Sequence, residues 1–297
     1  MRLLMKKIFC LTLCVLLAFS LCACACSNSN SISLNIADII GDSSATASTD
    51  GTYVDRSAGG NGDNSATQPT FDTVESTTDI NQIPTKFVDK LVALTSYKAV
   101  TAGQTVSNVF GLEVVQAIDC VLIKDGEKSY FNTKSESSLV KTSLISYFFN
   151  GNVNYKYKDA DYTKADLITY LNKFGVYPVG RFIEGFKVSA ETVRSVEKVA
   201  SETNYCFKIT FDNDNSADAV KVQAKEFGGL NDYPTFSLIE LTVTMDNYFS
   251  PIKVELTTEY KAKLIIETEC KQHYVVNYTD VNGTVTIPDE QNFDNLK

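Results

Sequence analysis

Residues 239–260 read IELTVTMDNYFSPIKVELTTEY, and the alternation in this stretch decides the fold class. Ile239, Leu241, Val243 and Met245 interleave with Glu240, Thr242 and Thr244, so an extended chain here has one apolar and one polar side. After Asp246-Asn247 through Ser250-Pro251, which carry turn chemistry, Ile252, Val254, Leu256 and Tyr260 repeat the pattern against Lys253, Glu255, Thr257 and Glu259. The two runs predict an antiparallel hairpin with a single buried face.

The same reading extends in both directions. Downstream, Leu264, Ile266, Cys270, Tyr274, Val276 and Tyr278 fall on one face, with Lys263, Glu267, Glu269, Lys271 and His273 on the other, a run long enough for a curved sheet. Upstream, Tyr205, Phe207, Ile209 and Phe211 alternate in the same way. Helices interrupt the strands. Thr163, with Asp166 three residues on, reads as the capped start of a helix whose stripe is Leu167, Tyr170, Leu171 and Phe174 and which ends at Gly175 and Pro178. Ser216 opens a second, with Ala217, Val220, Ala224 and Phe227 inward and Gly228-Gly229 as the stop, and residues 87–94 form a first helix. Residues 139–149 fit strand or helix equally, because periodicity does not separate the two there. Strands outnumber helices, which predicts an α+β domain built on a curved antiparallel sheet.

The N-terminal quarter has a different composition. Arg2, Lys6 and Lys7 precede an apolar run from Ile8 to Leu21, and Leu21-Cys22-Ala23-Cys24 closes it. This is the order of a secretion signal, and the closing tetrad resembles a bacterial lipobox. That resemblance implies cleavage after residue 23 and a diacylglycerol thioether on Cys24, with Cys26 as the alternative acceptor and Cys22 standing where a smaller residue is commoner. A competing reading makes residues 8–26 an uncleaved membrane-spanning helix. Either way the rest of the chain is held at the outer face of the cytoplasmic membrane, and two acyl chains suffice for stable anchoring at about 0.8 kcal/mol per buried methylene.

Residues 24–84 are rich in Ser, Asn, Thr, Asp and Gly, a composition that buries too little apolar surface to offset its ordering entropy. They read as a tether with a reach of roughly 40 Å, its one apolar island lying at residues 32–40. Residues 85–297 form the single domain, ample for one core. Loss of Arg2, Lys6 and Lys7 with the signal takes the formal charge from −9 to −12, which argues against nucleic acid as a partner.

Reactive chemistry is sparse. His273 is the only histidine and falls on the polar face of a long strand, with no nucleophile-elbow pattern to accompany it. No Cys or His pair has zinc-ligand spacing. Cys120, Cys206 and Cys270 sit on expected strands, as three buried thiols or as one disulfide and a free thiol. Asp212-Asn213-Asp214-Asn215-Ser216 opens like a calcium loop, but Ala217 and Gln223 occupy the positions of the required Gly and Glu, so an acidic turn leading into a helix is the simpler reading. Neither catalytic nor metal-ligating residues are assigned, and no cofactor is implied.

Residues 160–280 resemble Gram-positive surface lipoproteins with the LolA/LppX-like half-barrel fold. The resemblance is carried by Tyr170-Leu171, Gly175-Val176-Tyr177-Pro178, Glu191-Thr192-Val193, Tyr205-Cys206-Phe207-Lys208-Ile209, Asp218-Ala219, Gly228-Gly229-Leu230, Pro234-Thr235-Phe236, Tyr260 and Cys270. It implies a strongly curved half-barrel with helices packed on its concave side, around an apolar cavity that accepts acyl chains. The resulting expectation is a non-enzymatic, lipid-anchored binder of an apolar or lipid-like envelope ligand. The alternative is an interaction module with a closed core that recognises an envelope protein or a wall polymer. Ligand-binding residues are not transferable one for one.

Overall fold

The computed structural model describes residues 72–109, 111–137, 141–174, 188–217, 221, 232–263 and 267–296. The signal, Cys24, Cys26, residues 27–71, Gly175 through Pro178, and most of the helix expected after Ser216 lie outside the described residues. The same holds for Leu264 to Ile266.

Among the described residues, eleven strands form one antiparallel sheet in the order β6-β5-β4-β3-β2-β1-β11-β10-β9-β8-β7. They are β1 Ser96–Val109, β2 Leu112–Asp125, β3 Lys128–Ser137, β4 Lys141–Phe149, β5 Asn152–Tyr157, β6 Thr163–Asp166, β7 Val193–Val199, β8 Tyr205–Phe211, β9 Thr235–Met245, β10 Pro251–Lys263 and β11 Glu267–Thr279. The chain thus forms two meanders, β1–β6 and β7–β11, sewn together where β1 pairs with β11. The sheet is curved and open, with β6 and β7 at its two ends among the described residues.

The expected hairpin is β9–β10, in register with Val243 opposite Val254 and Leu241 opposite Leu256. Register shifts beside Pro251 and Glu259 leave Ile252 only half-buried while Val254, Leu256 and Tyr260 stay in the core. The downstream run divides differently: Lys263 ends β10, and β11 starts at Glu267. Residues 141–149, undecided by periodicity, are strand β4 because neighbours on both sides complete their backbone hydrogen bonds.

Helix α1, Ile83–Ala93, starts four residues before the expected one, Pro84 fitting its first turn, and buries Ile83, Phe87 and Leu91. The segment leading into it is already packed. Val74 is buried, its N–H donates to Asn247 O at 2.9 Å, and the Glu75 N–H donates to Asn247 Oδ1. The packed unit therefore includes residues 73–84, which composition assigns to the tether. From the β9–β10 turn this segment crosses one end of the sheet to β2, where Lys124 Nζ donates to Leu94 O at 2.7 Å.

Helix α2, Leu167–Phe174, begins later than expected. Thr163 opens β6, and the cap is Asp166, whose carboxylate accepts from the Thr169 N–H at 2.8 Å and from its hydroxyl at 2.7 Å. Those bonds, the backbone one first, hold the Asp166 carboxyl below its ordinary value. Tyr170 and Phe174 of α2 pack on Phe148, Tyr155 and Tyr157, covering β4 and β5.

Both helices lie on the face that carries the main core, and we call it the inner face. The opposite face is polar over β8–β11, laced by Lys271–Glu259 at 2.8 Å, Lys261–Glu267 at 3.0 Å and Lys208–Glu240 at 2.6 Å. Over β2–β4 that outer face is apolar at the end near the β2–β3 turn, where a C-terminal 3-10 helix, Glu290–Leu296, covers Ile123, Tyr130 and Tyr147 with Phe293 and Leu296, and is polar at the other end, where Lys134, Glu136 and Lys141 are exposed. No described helix is long and apolar enough to cross a membrane.

Candidate functional site

The inner face changes character along the strands. Toward α1 it is apolar: Tyr97, Ala99, Leu122, Phe131, Phe148, Val153, Val243, Met245, Val254 and Val276 pack with the helix stripe in one core. Toward the other end of the same strands, polar side chains occupy the inward positions and are still buried. Gln116, Thr105, Gln272 and Thr258 are successive cross-strand partners on β2, β1, β11 and β10, forming one row across the seam between the meanders.

Gln272 is the hub of this row. Its Oε1 accepts from Thr258 Oγ1 at 2.9 Å, and its Nε2 donates to Tyr260 OH at 3.2 Å and to Thr105 Oγ1 at 3.4 Å. Thr105 Oγ1 also lies 2.7 Å from Tyr274 OH. The Tyr274 ring reaches that hydroxyl by lying against Gly103, its direct partner, where a Cβ would stand 2.4 Å from Tyr274 Cδ1. Burial raises the pKa of the Tyr260 phenol and of the Cys270 thiol, so both are neutral here.

On β2–β4 the band is less complete. Gln116 Nε2 donates to Ser135 Oγ at 2.6 Å, Thr142 is the cross-strand partner of Ser135, and Thr133 precedes it by one inward position. Gln116 Oε1, Thr133 Oγ1 and Thr142 Oγ1 are buried and have no hydrogen-bond partner among the described residues. Their residues are 3%, 0% and 5% exposed. Apart from tyrosine, the buried polar side chains among the described residues are all Ser, Thr, Asn or Gln, so the band holds no formal charge.

The residues singled out in the sequence lie elsewhere or serve as packing. His273 is exposed on the outer face, its Nδ1 3.2 Å from Thr257 Oγ1, so it faces away from the band. Cys120, Cys206 and Cys270 are buried thiols that form no disulfide, which removes the disulfide reading. Asp212 is a turn cap: Oδ1 accepts from the N–H groups of Asp214 and Asn215 at 3.0 Å, and Oδ2 accepts from Arg194 at 3.1 Å. Those bonds, led by the Asn215 N–H, hold its carboxyl low. Among the described residues no three His, Cys, Asp or Glu side chains converge as a metal site would require. A shallow hollow at the β7–β8 turn is lined by residues 198–205 of that single hairpin, apart from the band.

Sequence reading passed over the polar band, yet it left a signal. Thr258 sits in phase with Val254, Leu256 and Tyr260, and Gln272 with Cys270 and Tyr274, as polar residues at apolar-phase positions. Gln116, Thr133 and Thr142 gave no such signal, because polar residues recur on both faces of their strands.

No family model matches this sequence, and a search of curated proteins finds no relative. Two solved structures illustrate what the chain is similar to. One is LprF from Mycobacterium bovis, at 11% identity over 71% of this chain and 96% of that one, with a TM-score of 0.41. The other is a DUF1329 family protein from Desulfovibrio piger, at 11% identity over 72% and 96%, with a TM-score of 0.28. Overlap at these scores is partial, so the fold is defined by its own strand order and register: an open, curved antiparallel sheet with two described α-helices on its inner face.

Proposed function

We propose that this protein is a lipid-anchored, non-enzymatic binder of an amphiphilic envelope ligand at the outer face of the cytoplasmic membrane. Cleavage after residue 23 leaves Cys24 as the acylated terminus, residues 27–71 act as the leash, and the inner face of the sheet takes the ligand. One observation carries the binding part: the inward side chains grade from an apolar half to a buried polar half in which three hydrogen-bonding atoms lack partners. Native proteins leave few such atoms, because each costs about 1–3 kcal/mol. A ligand with an apolar body and a polar end matches that gradient.

The binding test releases the domain in its native state. A protease site placed within residues 27–71 lets the packed unit be cut from membranes without detergent and weighed by native mass spectrometry. A stoichiometric lipid-sized adduct is expected. A bare mass that stays bare after incubation with envelope lipids would refute ligand binding and leave the interaction module, whose support is the contiguous packing of the apolar half around Phe87, Phe131 and Val243. Tethering is tested by labelled palmitate: Cys24→Ser abolishes incorporation and Cys26→Ser leaves it intact, while the reverse pattern moves the anchor to Cys26.

A further inference from the structure

We infer that Gln116, Thr133 and Thr142 form a polar subsite that takes an uncharged group able to both donate and accept hydrogen bonds, a hydroxyl or an amide. The inference rests on the inner face being the ligand site, as proposed above, and adds the chemistry of the end that is recognised there.

Three features converge on it. First, the orphaned atoms belong to one stretch of the inner face around Ser135: Gln116 donates to it from β2, Thr142 is its cross-strand partner on β4, and Thr133 is the preceding inward residue of β3. Each residue is more than nine-tenths buried, so exposed surface water does not supply the missing bonds. The remainder of the band behaves differently. Around Gln272, Thr258, Thr105, Tyr260 and Tyr274 join in bonds of 2.7–3.4 Å, so polarity of the face alone does not leave atoms unmatched.

Second, the donor and acceptor inventory selects the partner. With Nε2 committed to Ser135, Gln116 Oε1 requires a donor, while the two threonine hydroxyls accept or donate. An amide turned the other way requires an acceptor instead. A hydroxyl or an amide meets either arrangement. An ester has no donor, and a carboxylate or phosphate diester presents only acceptors.

Third, the subsite is electrically neutral. The buried polar residues of the described chain include no Lys, Arg, Asp or Glu. An anion or an ammonium brought there would lose its hydration without gaining a counter-ion, a penalty that neutral hydrogen bonds do not repay. The ion pairs of β8–β11 lie on the outer face and offer no help.

The test keeps the chain whole and in its own membranes. Four photoactivatable probes share one sixteen-carbon chain and differ only in the head: a glycerol monoester, a primary amide, a methyl ester and a carboxylate. Covalent labelling of the protein is counted after illumination, for the wild type and for the Thr133→Val, Thr142→Val double variant. Valine matches threonine in shape and removes only the hydroxyl, and a melting curve confirms that the variant folds.

The expected result is about tenfold more labelling of the wild type by the glycerol ester or the amide than by the methyl ester or carboxylate. That preference disappears in the double variant while its melting midpoint holds or rises. Whichever of the two donor heads labels more names the source, hydroxyl or amide. Equal labelling by all four heads, or an unchanged preference in the double variant, overturns the subsite and leaves acyl binding standing. Labelling by none of the four overturns the subsite and the ligand-binding reading together.

Discussion

Replacing Gly103 with alanine tests the closeness of the two meanders at their seam. A Cβ built there lies 2.3 Å from His273 O and 2.7 Å from Tyr274 Cα, besides the 2.4 Å contact to the ring. Two of these three atoms are β11 backbone, so a change of side-chain rotamer does not make room, and β1 and β11 must part locally. Overpacking of this kind costs about 1–3 kcal/mol. The Tyr274–Thr105 bond, whose geometry depends on the ring lying close against Gly103, adds about 1 kcal/mol when lost. The total, about 3 kcal/mol, corresponds to a midpoint lowered by roughly 6–12 °C for a domain of this size. Urea unfolding followed by circular dichroism measures it, with Tyr274→Ala added to the G103A background as the diagnostic. Because the backbone contacts persist, truncating the ring recovers less than about 1 kcal/mol of the cost in the double-mutant cycle. A loss below about 0.5 kcal/mol for G103A, or near-complete rescue by Tyr274→Ala, would refute the backbone argument.

Three further outcomes are expected. Thr133→Val and Thr142→Val each raise the stability of the unliganded domain by about 1 kcal/mol, since an unmatched hydroxyl is removed at constant shape; lower urea midpoints would mean those hydroxyls are bonded. Cys120, Cys206 and Cys270 fail to react with an aromatic disulfide reagent at pH 8 until the protein is unfolded, and prompt release of even one equivalent would contradict their burial. The raised Cys270 value also fixes a sign: its contribution is complete below the unfolded thiol's value of 9.0 and declines as pH rises above it, because the unfolded chain then loses a proton that the native one keeps. Stability curves from pH 8 to pH 11, compared with Cys270→Ala, measure that decline.

What the sequence made legible followed from strict alternation. The faces of β8 to β11 could be read because charged residues mark one side and Val, Leu, Ile or aromatic residues the other. The first meander was not read in this way. In β1 the inward positions are Tyr97, Ala99, Thr101, Gly103, Thr105 and Ser107, which carry almost no apolar signal, and β4 is apolar on both sides because Phe293 covers its outer face. Thr163 misled for a local reason: Thr and Asp both cap helices, but β5 pairs with Thr163 through Asp166 as an edge strand, so the helix starts at Leu167 and the cap falls to Asp166, the last residue of that strand. The pairing of β1 with β11 is non-local and left no pattern in either strand, so the step that turns two meanders into one sheet became visible only in three dimensions.

That seam is also where the polar band is built, and it gives the two glutamines of one row opposite roles. Gln272 has both ends of its amide engaged, so Gln272→Leu leaves Thr258, Thr105 and Tyr260 short of a partner while burying their polar atoms. Even with only one of the three left unmatched the cost is about 1–3 kcal/mol, and the loss expected is at least about 2 kcal/mol. Gln116 stands two strands away on the same row, with one end bonded to Ser135 and the other orphaned. Gln116→Leu removes the orphan as it gives up that bond, so the two effects oppose, and stability stays within about 1 kcal/mol of the wild type. Urea midpoints of the two variants, measured side by side on unliganded protein, separate a structural network from an unfilled one. Equal losses at the two positions would show that the band is uniformly structural and would remove the physical basis for a ligand at β2–β4. Unequal losses in the order given leave Gln116 as a side chain that the fold accommodates without needing, as the proposed subsite at β2–β4 requires.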